Sequence, residues 1–437
     1  MARQSFVFIQ LPKETTCTVA GLFAHEESIR PAAGTFVYGK SFLSNPKAVP
    51  LDPVALPLRE VEFKTTLTEG FFGAIRDALP DDWGRHVVQR LYGDRYGAPF
   101  DLLQLASADR FGALNFGTDS KSPQTEPPIA NLEALDGQVL ESLDKIDRNV
   151  AITDAERRAA IAFGGGTHAG GARPKFTVQD ENKVWIAKLN RFDDGWNVVR
   201  VEAAMLDLAE VCRINVPERR VETIARKDVL LVRRFDRNIA NGAVLKSRAA
   251  SAATVFRADE EYARNNFSGS YMRLSREFSR WGVNVSDDRR QLYRRMAFNC
   301  LTGIGDDHER NHALVAEGNH FRLAPAYDLS PTKPTTRARR QALAIGGDGD
   351  ESTRVNLLSA VAQFELTTQE AAEIIDEIKG IVDSQWRAHF TARRVTKRDA
   401  ELLSGCFNHE YFESGGRAGS RGRSALEGAP PGRRAKR

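Results

Sequence analysis

GIGDDHERNHALVAEGNHFRLAPAYDLSP, residues 303–331, sets two adjacent carboxylates, a histidine, a cation and an asparagine directly after an apolar helical pattern. Packing alone does not call for that set. Upstream, Ser286 can cap a helix whose positive end suits Asp287 and Asp288. Leu292, Tyr293, Met296, Ala297, Cys300 and Leu301 recur at helical spacing as its buried face. Gly303 and Gly305 end that helix, so GDDHERN stands on a turn carried by a buried element, a rigid mount for side chains. Downstream, HALVAE, a Gly318-Asn319 turn and HFRLAPAYD read as a β-hairpin. A two-residue loop pairs Glu317 with His320, and counting back pairs Asn311 with Ala326. Asp328 then lies on the same face, about 7–8 Å away on the diagonal. Asn311 and Asp328 converge where one cation can sit, with Asp306 beside them. Hard oxygen donors, few in number, suit Mg²⁺ that keeps phosphate oxygens as co-ligands. A solvated polar hairpin, with Asp328 capping the turn before Pro331, fits the same residues without a metal.

Two segments further back bear on the choice. Gly164-Gly165-Gly166 and Gly170-Gly171, between a helix starting after Thr153 and the strand KFTVQ, can expose backbone N–H groups to phosphate. The spacing matches neither GxxxxGK[ST] nor a dinucleotide GxGxxG, and a flexible loop explains it equally. On the strand KVWIAKL, alternation puts Val184, Ile186 and Lys188 on one face. An ammonium sharing an apolar face needs an anion, such as a nucleotide phosphate or Glu202 on the next helix, unless the strand is an edge. Together these parts meet the needs of phosphoryl transfer: phosphate-covering backbone, a neutralising lysine, a metal-holding Asp/Asn pair, and a free carboxylate to orient the attacking hydroxyl.

The rest of the 437 residues reads as a strand-rich lobe, a linker strand and a helical lobe, an order that admits a cleft. FVFIQL, GTFVYGKSFL and VEFKTTL read as strands; FFGAIRDAL reads as a helix, and so does DDWGRHVVQRLYG, capped by Asp81 or Asp82. TDSKSPQTEPPIANL, 118–132, is a polar connection. RRVETIA and DVLLVRRF form a hairpin, and from about 255 to 405 the pattern is mostly helical. Hydrophobic content of 41% and charged content of 27% fit a globular chain. No apolar run approaches the length of a membrane span, so a cytoplasmic location without membrane contact is expected. Cys17, Cys212, Cys300 and Cys406 lie far apart, against a disulfide framework or zinc site. Residues 415–437 carry seven Arg/Lys and one Glu, leaving residues 1–414 at −2 against the total of +4. The basicity belongs to a Gly/Arg/Pro-rich tail too poor in apolar residues to fold, which can touch phosphates non-specifically.

GGARPKF, WIAKL, VEAAMLDLAEVCRINVPE, LLVRRFDR, GIGDDHERNHALV and LAPAYDLSP, in that order, resemble the HipA-type serine/threonine kinase toxins of bacterial toxin–antitoxin modules. GTFVYGKSFL and RDALPDDWGRHVV are also similar to that family. The resemblance implies an α+β, bilobal, protein-kinase-like fold: an N-terminal domain over 1–117, a connection over 118–152, and a catalytic domain over 153–405. The last divides into a glycine-loop lobe, 153–235, and a helical lobe, 236–405; a basic disordered tail covers 406–437. It implies ATP and Mg²⁺, with Asp306 as the catalytic aspartate, His308 as its orienting histidine, and Asn311 and Asp328 as magnesium ligands. Lys188 is the implied ATP-phosphate lysine; Gly170, Gly171, Lys175, Glu202, Arg233 and Phe235 complete the nucleotide site. Implied partners are a Ser/Thr-bearing protein of the translation apparatus, notably an aminoacyl-tRNA synthetase, a small helix-turn-helix antitoxin, and operator DNA through that antitoxin. His168 stands where the family often has an autophosphorylated serine, with Thr167 adjacent. Two alternative readings are a catalytically weak kinase-fold corepressor acting with a helix-turn-helix antitoxin, which the intact Asp306, Asn311, Asp328 and Lys188 argue against, and a metal-dependent phosphohydrolase, which lacks a second set of His/Asp ligands.

Overall fold

The structure is a computed structural model that describes residues 2–93, 98–105, 109–123, 129–163, 173–256, 269–336 and 338–415. Five antiparallel strands open the chain: β1 (Arg3–Gln10), β2 (Cys17–Glu26), β3 (Ala33–Tyr38), β4 (Glu62–Thr65) and β5 (Leu114–Gly117), in spatial order β4-β3-β2-β1-β5. β2 is absent from the sequence reading because CTVAGLFAHE mixes small residues with an imperfect alternation, and its partners on both sides hold it in place. Helices α1 (Gly73–Asp77) and α2 (Asp82–Tyr92) follow β4. Asp81 is the N-cap of α2, its carboxylate accepting from the Gly84 N–H at 2.7 Å.

The second sheet runs β6-β7-β8-β10-β9: β6 (Ala130–Asn131), β7 (Lys175–Asp180), β8 (Lys183–Leu189), β9 (Arg219–Ile224) and β10 (Lys227–Arg233). β6 and α3 (Gly137–Asp147) both fall inside 118–152, so the expected connection is in part folded. Val139, Leu140, Leu143 and Ile146 of α3 bury against α4 (Asp154–Ala162), the outer face of the second sheet and Trp83, Val87 and Leu91 of α2. That shared core fixes the N-terminal domain to the sheet lobe. The inner face receives α5 (Val198–Val211), whose apolar residues join the large core of the helical lobe.

After β10 the chain forms a hairpin of β11 (Arg237–Ala240) and β12 (Ala243–Lys246), short strands that the pattern did not reveal. β13 (Ala249–Ser251) then pairs with β14 (Ala313–Glu317), which pairs with β15 (His320–Leu323). The helical lobe is built on α6 (Tyr271–Trp281), α7 (Val285–Thr302) and α8 (Thr368–Ala392). α7 begins after Asn284, not at Ser286, because Asp287 and Asp288 pair with Arg322 and hold the first turn further back. It ends at Gly303, at φ +68°, where glycine is the residue that adopts a left-handed cap without strain.

Residues 406–415, expected as the start of a disordered tail, are folded. Phe407 stacks on Trp386 with ring centroids 4.2 Å apart, His409 Nε2 meets the Leu301 carbonyl at 2.8 Å, and a helical turn covers Glu410–Ser414. Apolar residues at 406, 407 and 412 supply the burial that the Arg-rich stretch lacks. The remainder of the tail, 416–437, lies outside the described residues, as do Thr167, His168, Gly170 and Gly171.

Candidate active site

β7 and β8 place Lys175 directly opposite Lys188, so the two ammonium groups share the sheet face that looks toward the helical lobe. Like charges so placed repel unless carboxylates answer them, and three do. Lys188 Nζ lies 2.6 Å from Glu202 on α5 and 3.2 Å from Asp328 beyond β15. Lys175 Nζ lies 2.9 Å from Asp81, the cap of α2. Burial opposes the charge on Lys188, but Asp328 and Glu202 outweigh it and raise the ammonium pKa. Burial also acts on Asp328, where Lys188 and Lys175 prevail and hold the carboxyl below its ordinary range. Glu202, only 4% exposed, is raised by burial despite Lys188. Two carboxylates facing one ammonium leave room for an additional cation.

Asp328 adopts φ +60°, a left-handed conformation that a non-glycine residue enters at a cost of about 1–3 kcal/mol. Its neighbours hold it there. The Tyr327 hydroxyl donates to the Arg310 carbonyl at 2.8 Å, Leu329 is buried, and the Ser330 N–H donates back to the Asp328 carbonyl at 3.1 Å.

The 304–312 loop is folded onto itself. Asn311 Nδ2 donates to the Asp306 carbonyl at 3.0 Å, the His308 N–H donates to the same carbonyl at 3.0 Å, and the Asn311 N–H donates to the His308 carbonyl at 2.9 Å. Asp306 itself is exposed. His308 acts on Asp328 electrostatically, and its Nδ1 is buried without a hydrogen-bond partner among the described residues. The hairpin has the expected Glu317–His320 register, but the ladder ends near Ala313 and Ala324. The Ala326 N–H goes to the Asn215 carbonyl at 2.7 Å, so Asn311 does not face Ala326 across a ladder as expected. Asp328 reaches Lys188 through the turn that follows.

Beneath the loop lies a carboxylate that the sequence reading left without a role. Asp307 is 2% exposed, accepts from His312 Nε2 at 2.7 Å and from the Tyr271 hydroxyl, and Asn299 donates to that hydroxyl at 3.2 Å. Burial pushes Asp307 up, but His312 and these hydrogen bonds bring it below the ordinary range. The only signals were the second Asp of the pair and a histidine leading an apolar strand.

Between the lobes lies a cleft with about 1030 Å³ of empty volume. Lys188 and Asp328 line it together with the apolar Ile186, Val232, Pro217 and Leu79. Phe235 stacks on Tyr327 at 5.7 Å and meets Phe111 edge-on at 6.1 Å. The Arg233 N–H is taken by the Glu218 carbonyl at 2.9 Å, leaving its exposed side chain to border the cleft. Next to it, Arg234 is 4% exposed and sits 2.9 Å from both Asp109 and Asp236, tying the linker strand to the N-terminal domain. That domain also supplies Arg76, Asp77, Pro80 and Asp81 to the cleft wall, and Asp77 accepts from Ser251 and Thr254 at 2.6 Å each. In the sequence, the acids of RDALPDD have no role beyond capping α2.

Asn311 and Asp328 carry hard oxygen donors, one amide and one carboxylate, of the type that Mg²⁺ would take beside water and phosphate oxygens. The Asn311 amide nitrogen is engaged with the Asp306 carbonyl, which leaves the oxygen of that amide for a cation.

A strand-rich lobe, a helical lobe and a lysine–glutamate–aspartate cluster in the cleft between them define a bilobal α+β protein. The HipA-like C-terminal domain matches residues 167–386 and the HipA N-terminal domain matches residues 17–117. The chain belongs to the HipA family. Among solved structures it is similar to the HipA toxin–antitoxin system of Shewanella oneidensis MR-1, a complex of HipA, HipB and operator DNA. The identity is 18%, the TM-score 0.62, and the match covers 92% of this chain and 95% of that one. A partial likeness to the Helicobacter pylori proinflammatory kinase CtkA has 11% identity and a TM-score of 0.38, covering 54% of this chain and 90% of that one. No curated protein matches the sequence significantly. Among the described residues, no helix is long and apolar enough to cross a membrane.

Proposed function

We propose that the protein is an ATP-dependent serine/threonine protein kinase, the toxin of a toxin–antitoxin pair, acting on a translation component such as an aminoacyl-tRNA synthetase. The observation that carries this is Lys188 bridging Glu202 and Asp328 across the cleft, beside a loop that presents Asp306 to solvent. The apolar lining of the cleft takes the adenine, and Lys188 neutralises phosphate oxygens. Asn311 and Asp328 would hold Mg²⁺, which when bound offsets charge on the phosphates. Asp306 accepts the proton of the attacking Ser or Thr hydroxyl. The hydroxyl oxygen then bonds to the γ-phosphorus while the bond to the bridging oxygen breaks, and ADP leaves with the electron pair. Lys175 lies one strand away and adds to the positive potential on Asp328.

A helix-turn-helix antitoxin as partner, with operator DNA bound through it, is supported by family membership and by the HipA, HipB and operator DNA complex of the Shewanella protein. Incubation of the purified chain with γ-labelled ATP and its host's soluble proteins tests the reading. A labelled serine or threonine in a discrete protein is expected, with labelling reduced about 100-fold or more in Asp306→Gln. Full labelling by that variant would refute the role of Asp306.

A further inference from the structure

The backbone of the Asp306 loop is held by a segment that the N-terminal domain in turn holds. The carbonyls of Glu309 and His312, which flank Asn311, accept from the N–H groups of Ala253 and Ala252 at 3.2 and 2.8 Å. Those two donors open the short helix Ala252–Phe256. It follows β13, whose last residue, Ser251, pairs with Ala313 at the start of β14. Residues 251–254 therefore form a support on which the loop rests, and Asn311 passes the constraint on through its amide bond to the Asp306 carbonyl.

The support is fixed from a residue 174 positions away from Ser251. Asp77, the last residue of α1, accepts from the Ser251 hydroxyl at one oxygen, at 2.6 Å. Its other oxygen accepts from the Ser251 N–H at 2.8 Å and from the Thr254 hydroxyl at 2.6 Å. α1 is itself pinned inside the N-terminal domain. The buried Asp52 carboxylate accepts from the Ala74 N–H at 2.8 Å, and the buried Arg110 guanidinium donates to the Ala78 carbonyl at 2.9 Å. A Cβ at Gly73 would lie 2.5 Å from Thr254 Cγ2, so α1 packs directly on the support. Asp77 borders the interlobe cleft, yet both of its oxygens are engaged within the protein. It stands there as a brace and not as a ligand donor.

We infer that Asp77 is a positioning residue for phosphoryl transfer: through Ser251 and Thr254 it sets where the 306–312 backbone stands relative to Lys188. The inference rests on the kinase reading above. It makes the N-terminal domain part of the catalytic apparatus through a residue that touches no reactant. The leverage is large, because a shift of about 1 Å in a group that aligns the reacting atoms costs about 100-fold in rate.

The test compares the full-length wild type with Asp77→Ala and Asp77→Asn. The asparagine keeps the bonding pattern: its oxygen accepts from the Ser251 N–H and the Thr254 hydroxyl, and its NH₂ donates to Ser251 Oγ. Label transfer from γ-labelled ATP to soluble host protein is measured against ATP concentration, and amide hydrogen exchange is followed in residues 304–312 and in α8. In Asp77→Ala, kcat should fall about tenfold or more with the ATP KM held within about twofold. Exchange in the loop should quicken about tenfold while α8 keeps its wild-type protection, which a general loss of stability would not produce. Asp77→Asn should recover most of the transfer and of the loop protection. A raised ATP KM with kcat kept would overturn the inference by making Asp77 a nucleotide contact, and so would loop exchange that is unchanged or that quickens equally in α8. If wild type labels no protein, the kinase reading falls and this role in transfer falls with it; an active wild type with unchanged loop exchange in Asp77→Ala refutes the inference alone.

Discussion

Asp306 and Asp307 are neighbours in sequence with opposite surroundings. Asp306 is exposed at the loop surface, whereas Asp307 lies beneath it in the company of His312, Tyr271 and Asn299. Asp307 anchors the loop that presents Asp306. Its folded-state pKa lies below its ordinary value of about 3.9, so the stability it contributes is present above that value and is lost as pH falls through the lowered one. Asp307→Asn should therefore cost about 1.5–3 kcal/mol at pH 7, and the gap from wild type should be smaller at about pH 3. Urea unfolding at the two pH values checks this; an equal gap at both would show that the charge is irrelevant. Which carboxylate does which work was not legible from the pair DD. Local sequence carries no record of which side chain points into a core built from residues 36 positions away.

At the scale of elements, α2 and β7 are coupled through one carboxylate. Asp81 caps α2 through the Gly84 N–H and faces the buried ammonium of Lys175 on β7. Asp81→Ala should cost about 1 kcal/mol for the cap and about 3–5 kcal/mol more for removing the carboxylate from a buried pair. Asp81→Ala/Lys175→Met should recover most of the second part, and a double-mutant cycle by denaturant unfolding measures it. Additive losses would mean that the pair is not coupled. The end of α7 gives a second case. Gly303 combines φ +68° with a Cβ position 3.0 Å from the Cys406 Cβ, so Gly303→Ala should lower stability by about 1–2 kcal/mol and displace the Asp306 loop. Lower transfer together with a lower melting temperature is the expected outcome. The cap at Asp81 and the stop at Gly303 were readable from sequence because each is a short-range hydrogen-bond or backbone requirement. β2, β11, β12 and α3 were not: their strand or helix pattern is weak, and pairing or burial supplied from elsewhere stabilises them.

For the whole molecule, the cleft is made by three parts: the sheet lobe with Lys188, the helical lobe with Asp328, and the N-terminal domain with Asp77, Asp81 and Phe111. A ligand that touches all three should stabilise them together. Saturation with Mg²⁺-ATP at about 100 times its Kd should add about 2.7 kcal/mol to the native state. Thermal unfolding should show an upward shift in wild type, the same shift in Asp306→Gln, and a much smaller one in Asp328→Ala. A full shift in Asp328→Ala would remove Asp328 from the nucleotide site.

The sequence by itself determined the local pieces: the buried helix ending at Gly303, the turn that carries Asp306 and Asp307, the hairpin register at Glu317 and His320, and a lysine on an apolar strand face that demanded an anion. Those follow from periodicity, capping and desolvation, which act over a few residues. Only the tertiary structure decided that the anion is shared between Glu202 and Asp328, the latter 140 residues away. It also decided that Lys175 answers to Asp81, that Asp307 anchors what Asp306 presents, and that the N-terminal domain walls the cleft. Such choices are set by which charges meet once apolar surfaces have packed, and that is a property of the assembled core and not of any segment within it.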